Sequence, residues 1–185
     1  IPTIRKVVND ELQVFFIGRG SSQKRVYLVA AIAKQLHEKA LPVHFNFVGD
    51  VEKVIEPALY PYCSFYGIVT DDAKMDSIYQ QADILILTSL FEGLPVVVMQ
   101  MMAYGKVVLS TAVSGIPDYI FHEQNGMLIT ATDEAAIISE GVQNIEKLLN
   151  EPELRTALGL QASKDANRLF SKESFDKNYR KILCI

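Results

Sequence analysis

Short apolar runs alternate along this chain with segments in which apolar residues recur every three or four positions. The runs predict six β-strands, and the periodic segments between them predict helices. The predicted strands are VFFI at 14–17, VHFNFV at 43–48, SFYG at 64–67, ILILT at 84–88, VVLST at 107–111 and GMLI at 126–129. The ILILT run is apolar on both faces, which is typical of a central strand in a parallel sheet.

Helical periodicity follows most of these strands. Leu28, Ile32 and Leu36 form one apolar stripe with a period of 3.6 residues, and similar spacings recur further along the chain. The other stripes are Ile78 with Ala82, the stretch Val96 to Ala103, and Ile138, Val142, Ile145 and Leu149. Regular alternation of strand and helix predicts an α/β fold, a Rossmann-like parallel sheet with helices on both faces.

The strands stop after Asn150, and a tail of two helices is expected over residues 152–185. Leu154, Leu158 and Ala162 mark the first helix, and Phe175, Tyr179 and Ile182 mark the second, with Ser171 as the N-cap between them. Two interpretations of this tail stay open at this point. The helices either complete the domain or extend toward a missing partner.

The bulk composition is that of one globular domain. A chain of 185 residues with 49% apolar composition can bury one core, whereas two separate domains would each be unusually small. The net charge of −4 and the dispersed basic residues argue against a nucleic-acid or lipid-surface partner. No transmembrane run or signal peptide is recognisable, so we expect a cytoplasmic protein. The chain starts Ile1-Pro2, which suggests a piece of a longer protein.

Cysteines and histidines offer no chemistry at the level of the sequence. Cys63 and Cys184 have neither CxxC nor histidine spacing, so we expect inert thiols and no metal site. His37, His44 and His122 fall on polar positions and are expected to be surface or hydrogen-bonded residues rather than catalytic bases.

The first strand-to-helix loop, IGRGSSQKR at 17–25, carries two cations around a Gly/Ser turn. Arg19 suits bidentate contact with phosphate oxygens, and Lys24 supplies a point charge close to a helix N-terminus. These features together are what a diphosphate requires. The alternative is an ordinary flexible loop with solvated cations, because neither a Walker motif nor GxGxxG is present.

The loop SLFEGLP at 89–95 carries an acid that we expect to be exposed, Glu92, just before an apolar helix. Gly93 lets the backbone approach a ligand closely. The competing interpretation is that Glu92 merely caps the helix. The loop TAVSGIPD at 111–118 repeats the arrangement with Gly115. Three such loops at the C-terminal edge of one sheet indicate a phosphate-ester site.

Three segments together, GRGSSQK, SLFEGLPVVVMQMMAYG and SGIPDYIFHEQNGML, resemble the C-terminal domain of retaining, family 4 type glycosyltransferases with the GT-B fold. The resemblance runs from about Val14 to Phe170. In that family two Rossmann-like domains face each other, the C-terminal one holding a nucleotide-sugar donor and the N-terminal one the acceptor. It therefore implies a single-domain chain, one half of a GT-B architecture, whose N-terminal acceptor domain is absent.

The resemblance also implies roles for particular residues. Arg19 and Lys24 match the cations that bind the donor diphosphate, and Glu92 matches the first acid of a Glu-x7-Glu motif, the catalytic position against the donor sugar. Four residues match the turn that approaches sugar and phosphate: Gly93, Leu94, Pro95 and Val96. Ile68 and Val69 match the loop that lines the base pocket. No cofactor and no metal are implied, and the donor is of the UDP or GDP type.

Three positions depart from the pattern, and one of the milder departures is Asp118, which stands where the family more often has glutamate. Gln100 stands where the second acid normally accepts hydrogen bonds from the ribose, and a glutamine has only one carbonyl acceptor. We therefore expect weaker ribose recognition. Arg25 stands where the family often has glycine.

The resulting expectation is a metal-independent, retaining hexosyltransferase domain, inactive alone, that uses a nucleotide diphosphate sugar and a hydroxyl acceptor in polysaccharide or glycoconjugate synthesis. The expected partners are the donor and the missing domain, which would also provide any peripheral membrane contact. One alternative is a non-catalytic nucleotide-sugar binding module, with Gln100 as a sign of lost activity. Others are half of a nucleotide-sugar 2-epimerase, which should bring more carboxylates and histidines, and a flavodoxin-like signalling domain, which should carry an acidic cluster.

Overall fold

A computed structural model describes residues 11–183, except for the side chains at 175, 177, 178 and 181–183. The predicted positions Phe175, Ile182 and Cys184, and the opening Ile1-Pro2, therefore lie outside what is described. Six strands form one sheet: β1 (Leu12–Ile17), β2 (Val43–Val48), β3 (Ser64–Gly67), β4 (Ile84–Leu87), β5 (Val107–Thr111) and β6 (Met127–Ile129). All six coincide with predicted strands.

The strands are all parallel and lie in the order β3-β2-β1-β4-β5-β6. The chain runs outward from β1 in one direction and then returns to start again at β4 on the other side. The carboxyl ends of β1 and β4 therefore flank the point where the winding reverses, and ligands of open α/β sheets bind in the crevice at such a point.

The first strand begins at Leu12, two residues before the predicted apolar run. Gln13 was not recognised as a strand residue because it is polar. Its N–H donates to Asp83 Oδ2 at 2.9 Å, and its side-chain oxygen accepts a bond from Asn46 at 3.1 Å. These partners satisfy the polar groups inside the sheet.

Six helices accompany the strands: α1 (Val26–Glu38), α2 (Asp72–Gln81), α3 (Val96–Ala103), α4 (Glu134–Asn150), α5 (Pro152–Phe170) and α6 (Lys172–Leu183). Asp71 and Asp133 cap α2 and α4, each accepting a backbone N–H of the first turn at 2.7 and 2.9 Å. No helix in the described part of the chain is long and apolar enough to cross a membrane.

The predicted apolar stripe of α4 is correct at its centre, where Val142 and Ile145 are buried, and is displaced by one residue at each end. Ile138 and Leu149 are only half-buried, while Ile137 and Leu148 are completely buried. The reason is Gly141, where an added Cβ would lie 2.6 Å from a side chain of α1. The glycine lets α1 approach closely, and this approach fixes which face of α4 turns inward.

Helix α5 packs against the core of the domain, as the first interpretation of the C-terminal tail expects for this helix. Leu158 and Ala162 are buried as predicted. A Cβ on Gly159 would lie 2.2 Å from the carbonyl oxygen of Gly105, so α5 crosses the turn after α3 almost in backbone contact. Asp165 accepts a 3.0 Å bond from Asn125 and ties the helix to the segment before β6.

Candidate functional site

An ion pair joins the loops after β1 and β4, at the reversal point of the sheet. Lys24 Nζ donates to Glu92 Oε1, and the Ser89 hydroxyl donates to the same oxygen at 2.6 Å. Glu92 is only 8% exposed. The expectation of an exposed acid is therefore wrong, because a lysine and a hydroxyl take the place of water around the carboxylate.

The interpretation of Glu92 as a helix cap is also wrong. Helix α3 follows Pro95 and begins without a side-chain cap bond. The Glu92 side chain instead bonds to Lys24 and Ser89. Glu92 is therefore a nearly buried, ion-paired acid in the crevice of the sheet.

Backbone hydrogen bonds hold the three predicted loops together. The Leu90 N–H donates to the Gln23 carbonyl at 2.8 Å, and the Gln23 side chain donates to the Phe91 carbonyl at 2.7 Å. The Gly115 N–H donates to the carbonyl of Glu92 at 3.1 Å. The prediction of one shared sheet edge is confirmed, and the interpretation of the first loop as flexible is wrong for the part near Lys24.

Arg19 lies on the same loop but apart from this ion pair. It is exposed and, within residues 11–183, its side chain has no hydrogen bond or ion pair. The neighbouring Gly20 N–H donates to Asp50 Oδ1 at 3.1 Å, which fastens the loop to the segment after β2. The guanidinium thus keeps its five donors free for a ligand.

Arg25 adopts a left-handed backbone conformation, with φ 45° and ψ 45°. Such a conformation suits glycine, since a side chain at such a position costs about 1 kcal/mol or more. The side chain is 6% exposed, and it donates from Nε to the Thr88 carbonyl at 2.8 Å and from Nη2 to the Ser89 carbonyl at 3.1 Å. Sequence reasoning noticed the departure from glycine but not this contact.

The turn after Glu92 is open. An added Cβ at Gly93 would meet nothing within 4 Å, whereas one at Gly115 would lie 2.9 Å from the Gly93 oxygen. Leu94 and Pro95 are half-buried, and Val96 is 63% exposed at the start of α3. The turn therefore leaves space on the side where the N–H groups of α3 begin.

A cavity of about 230 Å³ lies at the carboxyl ends of β2 and β3. Its lining includes Gly49, Asp50, Phe65 and Ile68. Ile68 is 73% exposed, an unusual position for a large apolar side chain, while Val69 packs against the core and does not line the cavity. Of the two residues predicted for a base pocket, Ile68 lines this cavity and Val69 does not.

The profile of the family "Glycosyl transferases group 1" matches residues 11–150. The chain belongs to this family. It is 26% identical over 177 residues to an uncharacterized glycosyltransferase of Methanocaldococcus jannaschii, an alignment that covers 92% of this chain and 44% of the relative. It is 34% identical over 157 residues to EpsD of Bacillus subtilis, a protein named as a candidate glycosyltransferase, covering 80% and 38%. The chain thus spans less than half the length of these curated relatives.

Solved structures of glycosyltransferases share the fold. Anabaena HepE in complex with UDP-glucose superposes with a TM-score of 0.78 at 18% identity, covering 95% of this chain and 49% of HepE. The C-terminal domain of a group 1 glycosyl transferase from Francisella tularensis superposes with a TM-score of 0.75 at 18% identity, covering 87% of both chains. This group 1 glycosyltransferase chain has the architecture of one Rossmann-like half of a GT-B enzyme.

Gln100 of this glycosyltransferase domain is held by a residue that the sequence did not indicate. The Tyr79 hydroxyl donates to Gln100 Oε1 at 2.5 Å. Burial raises the pKa of Tyr79, and the charge of Asp76 raises it further, so the hydroxyl keeps its proton. The contact links α2 to α3, and no local pattern could have revealed it.

The histidines and the described cysteine have the structural roles predicted for them. His44 bonds to the Ser64 hydroxyl at 2.8 Å, and His122 Nδ1 accepts the Leu128 N–H at 3.0 Å. Burial raises the pKa of Cys63 to about 12, so its thiol is not a nucleophile. Within the described residues, no three His, Cys, Asp or Glu side chains are grouped as a metal site would require.

Proposed function

We propose that this domain is the donor-binding half of a retaining glycosyltransferase, one that moves a hexose from a nucleotide diphosphate sugar to a hydroxyl acceptor without a metal. The observation that carries the proposal is the Lys24–Glu92 ion pair at the reversal point of the sheet. It sets one cation and one carboxylate side by side where α/β sheets bind ligands.

The cations suit the diphosphate. Lys24 has three N–H donors, and its bond to Glu92 uses one of them. Arg19 keeps all of its donors, and the helices that begin at Val26 and Val96 present unpaired backbone N–H groups to the same edge. Charge-assisted bonds of this kind contribute about 1.5–3 kcal/mol each, so these groups can neutralise a leaving diphosphate.

The paired charges also match those of glycosyl transfer. When the bond between the anomeric carbon and the diphosphate oxygen breaks, its electrons stay with the diphosphate and the sugar gains oxocarbenium character. Glu92 is placed to stabilise the positive sugar and Lys24 the negative leaving group. The acceptor oxygen then forms the new bond to the same carbon, and its proton passes to the leaving diphosphate oxygen, so that a nucleoside diphosphate is released.

Two further observations support a nucleotide sugar as the donor. HepE, which shares the fold, is known in complex with UDP-glucose. In this chain, the cavity at Ile68 lies beyond the β2 end of the same sheet edge and offers an apolar surface to a base. According to this proposal, the base lies at the carboxyl end of β2, the diphosphate at that of β1 and the sugar at that of β4.

Titration calorimetry with UDP and GDP tests donor binding directly. We expect saturable binding of at least one nucleotide, weakened about tenfold or more by Arg19→Ala and by Lys24→Ala. Lys164→Ala serves as the matched control, because Lys164 is exposed on α5, away from the crevice. The proposal fails if neither nucleotide binds saturably.

Catalysis is proposed to require a second half that supplies the acceptor site and excludes water from the donor. The relatives are more than twice as long as the part this chain matches. We expect negligible sugar transfer by the 185-residue chain, and robust transfer by it would refute this requirement. In the complete protein, Glu92→Ala should abolish turnover, whereas a non-catalytic binding module would have no turnover to lose.

A further inference from the structure

The guanidinium of Arg25 is buried without a carboxylate partner. No ion pair of Arg25 exists among the described residues, although its side chain is 6% exposed. A permanent charge is costly to bury without a counter-ion. Its bonds to the carbonyls of Thr88 and Ser89 lower that cost but do not neutralise the charge.

These carbonyls belong to a hydrogen-bond network at the carboxyl ends of β1, β4 and β5. The Thr88 hydroxyl donates back to the Arg25 carbonyl at 3.0 Å and to the Lys24 carbonyl at 3.2 Å. The Thr111 hydroxyl donates to the Ser89 carbonyl at 2.8 Å, which Arg25 also reaches. The segments after β1, β4 and β5 are thus held relative to one another by Arg25 and two threonines.

The same hydrogen-bond network includes the neighbours of both members of the Lys24–Glu92 ion pair. Lys24 directly precedes Arg25 in the chain, and the peptide that Arg25 holds belongs to Ser89, whose hydroxyl bonds to Glu92. In charge terms Lys24 and Glu92 cancel. Arg25 therefore adds a fixed positive charge close to this pair.

We infer that Arg25 is a positioning residue of the crevice. Its guanidinium fixes the Ser89 peptide so that Glu92 meets Lys24, and its unpaired charge favours an anionic ligand there. The positioning part depends only on the contacts described above. The part concerning the ligand rests on the proposed donor-binding function.

Amide hydrogen exchange in the absence of ligand tests the positioning part. In Arg25→Met the N–H groups of Leu90 and Gly115, which bridge the loops, should exchange about tenfold faster or more than in the wild type. The matched control is Arg155→Met, because Arg155 also donates to a backbone carbonyl, that of Leu148 at 2.7 Å, but lies in the α4–α5 corner. Unchanged exchange in Arg25→Met, or equal acceleration in the control, would overturn the inference.

Two milder variants keep the test decisive if Arg25→Met does not fold. Arg25→Lys keeps the positive charge but cannot bond to the Thr88 and Ser89 carbonyls with a planar guanidinium. Thr88→Val removes the hydroxyl bonds to the Lys24 and Arg25 carbonyls and leaves the charge of Arg25 in place. In both variants the N–H groups of Leu90 and Gly115 should exchange faster than in the wild type. Arg25→Gly relaxes the left-handed backbone, so faster exchange there as well would assign the effect to the guanidinium rather than to strain.

The affinities for inorganic pyrophosphate and for UDP test whether the positive charge of Arg25 favours an anionic ligand. We expect Arg25→Met to weaken pyrophosphate binding about tenfold, and Arg25→Lys to weaken it much less. Binding as tight as in the wild type by Arg25→Met would overturn the charge role. If the wild-type chain binds no nucleotide, the proposed function fails instead, and the exchange data still decide whether Arg25 positions the loops.

Discussion

The hydroxyl of Tyr79 on α2 donates a 2.5 Å hydrogen bond to the side-chain oxygen of Gln100 on α3. One of the two lone pairs of the glutamine's only carbonyl oxygen is therefore engaged, and the other lone pair and the two amide hydrogens remain for a ligand. A carboxylate at this position would accept from Tyr79 with one oxygen and keep the other oxygen wholly free. The difference between the two side chains is thus one acceptor oxygen.

Replacing Gln100 by glutamate should strengthen nucleotide binding. On the proposed function, Gln100→Glu returns an acceptor to the ribose hydroxyls, and we expect affinity for the bound nucleotide to rise about three- to tenfold. Calorimetry with UDP and 2′-deoxy-UDP should show the gain for the ribonucleotide only. An unchanged affinity would contradict the assignment of Gln100 to the ribose, and Asn167→Asp on the exposed face of α5 controls for added negative charge.

Removing Lys24 should destabilise the fold as well as weaken binding. Lys24→Met leaves the nearly buried Glu92 without its cation, and we expect a loss of about 1–3 kcal/mol in the free energy of unfolding. Adding Glu92→Gln removes the uncompensated charge and should restore part of that loss. Urea unfolding of both single variants and the double variant measures the coupling, and strictly additive effects would show that the pair contributes nothing.

A stabilising substitution is expected at Asn144 of α4. The residue is 8% exposed, and its side-chain nitrogen is buried with no hydrogen-bond partner in the part of the chain that the structure describes. Asn144→Leu removes this unsatisfied donor and should raise the free energy of unfolding by about 1 kcal/mol. Gln143→Leu, at the exposed neighbouring position, should change it far less. A lower melting temperature for Asn144→Leu than for the wild type would contradict the prediction.

Asp165 should make stability depend on acid pH. Burial raises the pKa of this carboxyl, but hydrogen bonds from Arg168, Asn125 and Gln161 outweigh burial and hold the pKa below its ordinary 3.8. The unfolded chain therefore takes up the proton at a higher pH than the folded one. The stabilisation is complete above that ordinary value and is lost as the pH falls through the folded pKa.

Unfolding by urea over a series of acid pH values checks this dependence. Asp165→Asn lacks the pH-dependent stabilisation that the Asp165 carboxylate provides. The free energy of unfolding of this variant should therefore fall less steeply with acidification than that of the wild type. Asp176→Asn, at an exposed carboxylate of α6, is the control and should keep the wild-type slope. Parallel curves for the wild type and Asp165→Asn would refute the role of Asp165.

The strands and their order of alternation were predictable because a sheet covered on both faces needs continuous apolar runs. Loop positions at one sheet edge followed from the same alternation, since all parallel strands end on the same side. The rotation of α4 was not predictable. It depends on how closely α1 approaches Gly141, and this is a tertiary contact that periodicity does not encode.

The geometry inside the site was predictable only in part. Residue types and loop positions indicated Lys24 and Glu92 separately, but their mutual contact and the burial of Glu92 depend on pairing across 68 residues. The contacts of Arg25 and of Tyr79 were not predictable for the same reason. Each acts through a partner on another element, so nothing in its own neighbourhood distinguishes it.

The bond from the Gly115 N–H to the Glu92 carbonyl, together with the close approach of Gly115 to Gly93, bears on how such domains can be recombined. The segments 89–95 and 111–118 pack against each other through their backbones. In a chimera that takes only residues 89–95 from a relative, this backbone contact would have to form between segments from two different proteins. On the proposed function, an exchange of donor preference therefore requires that both loops be moved at once.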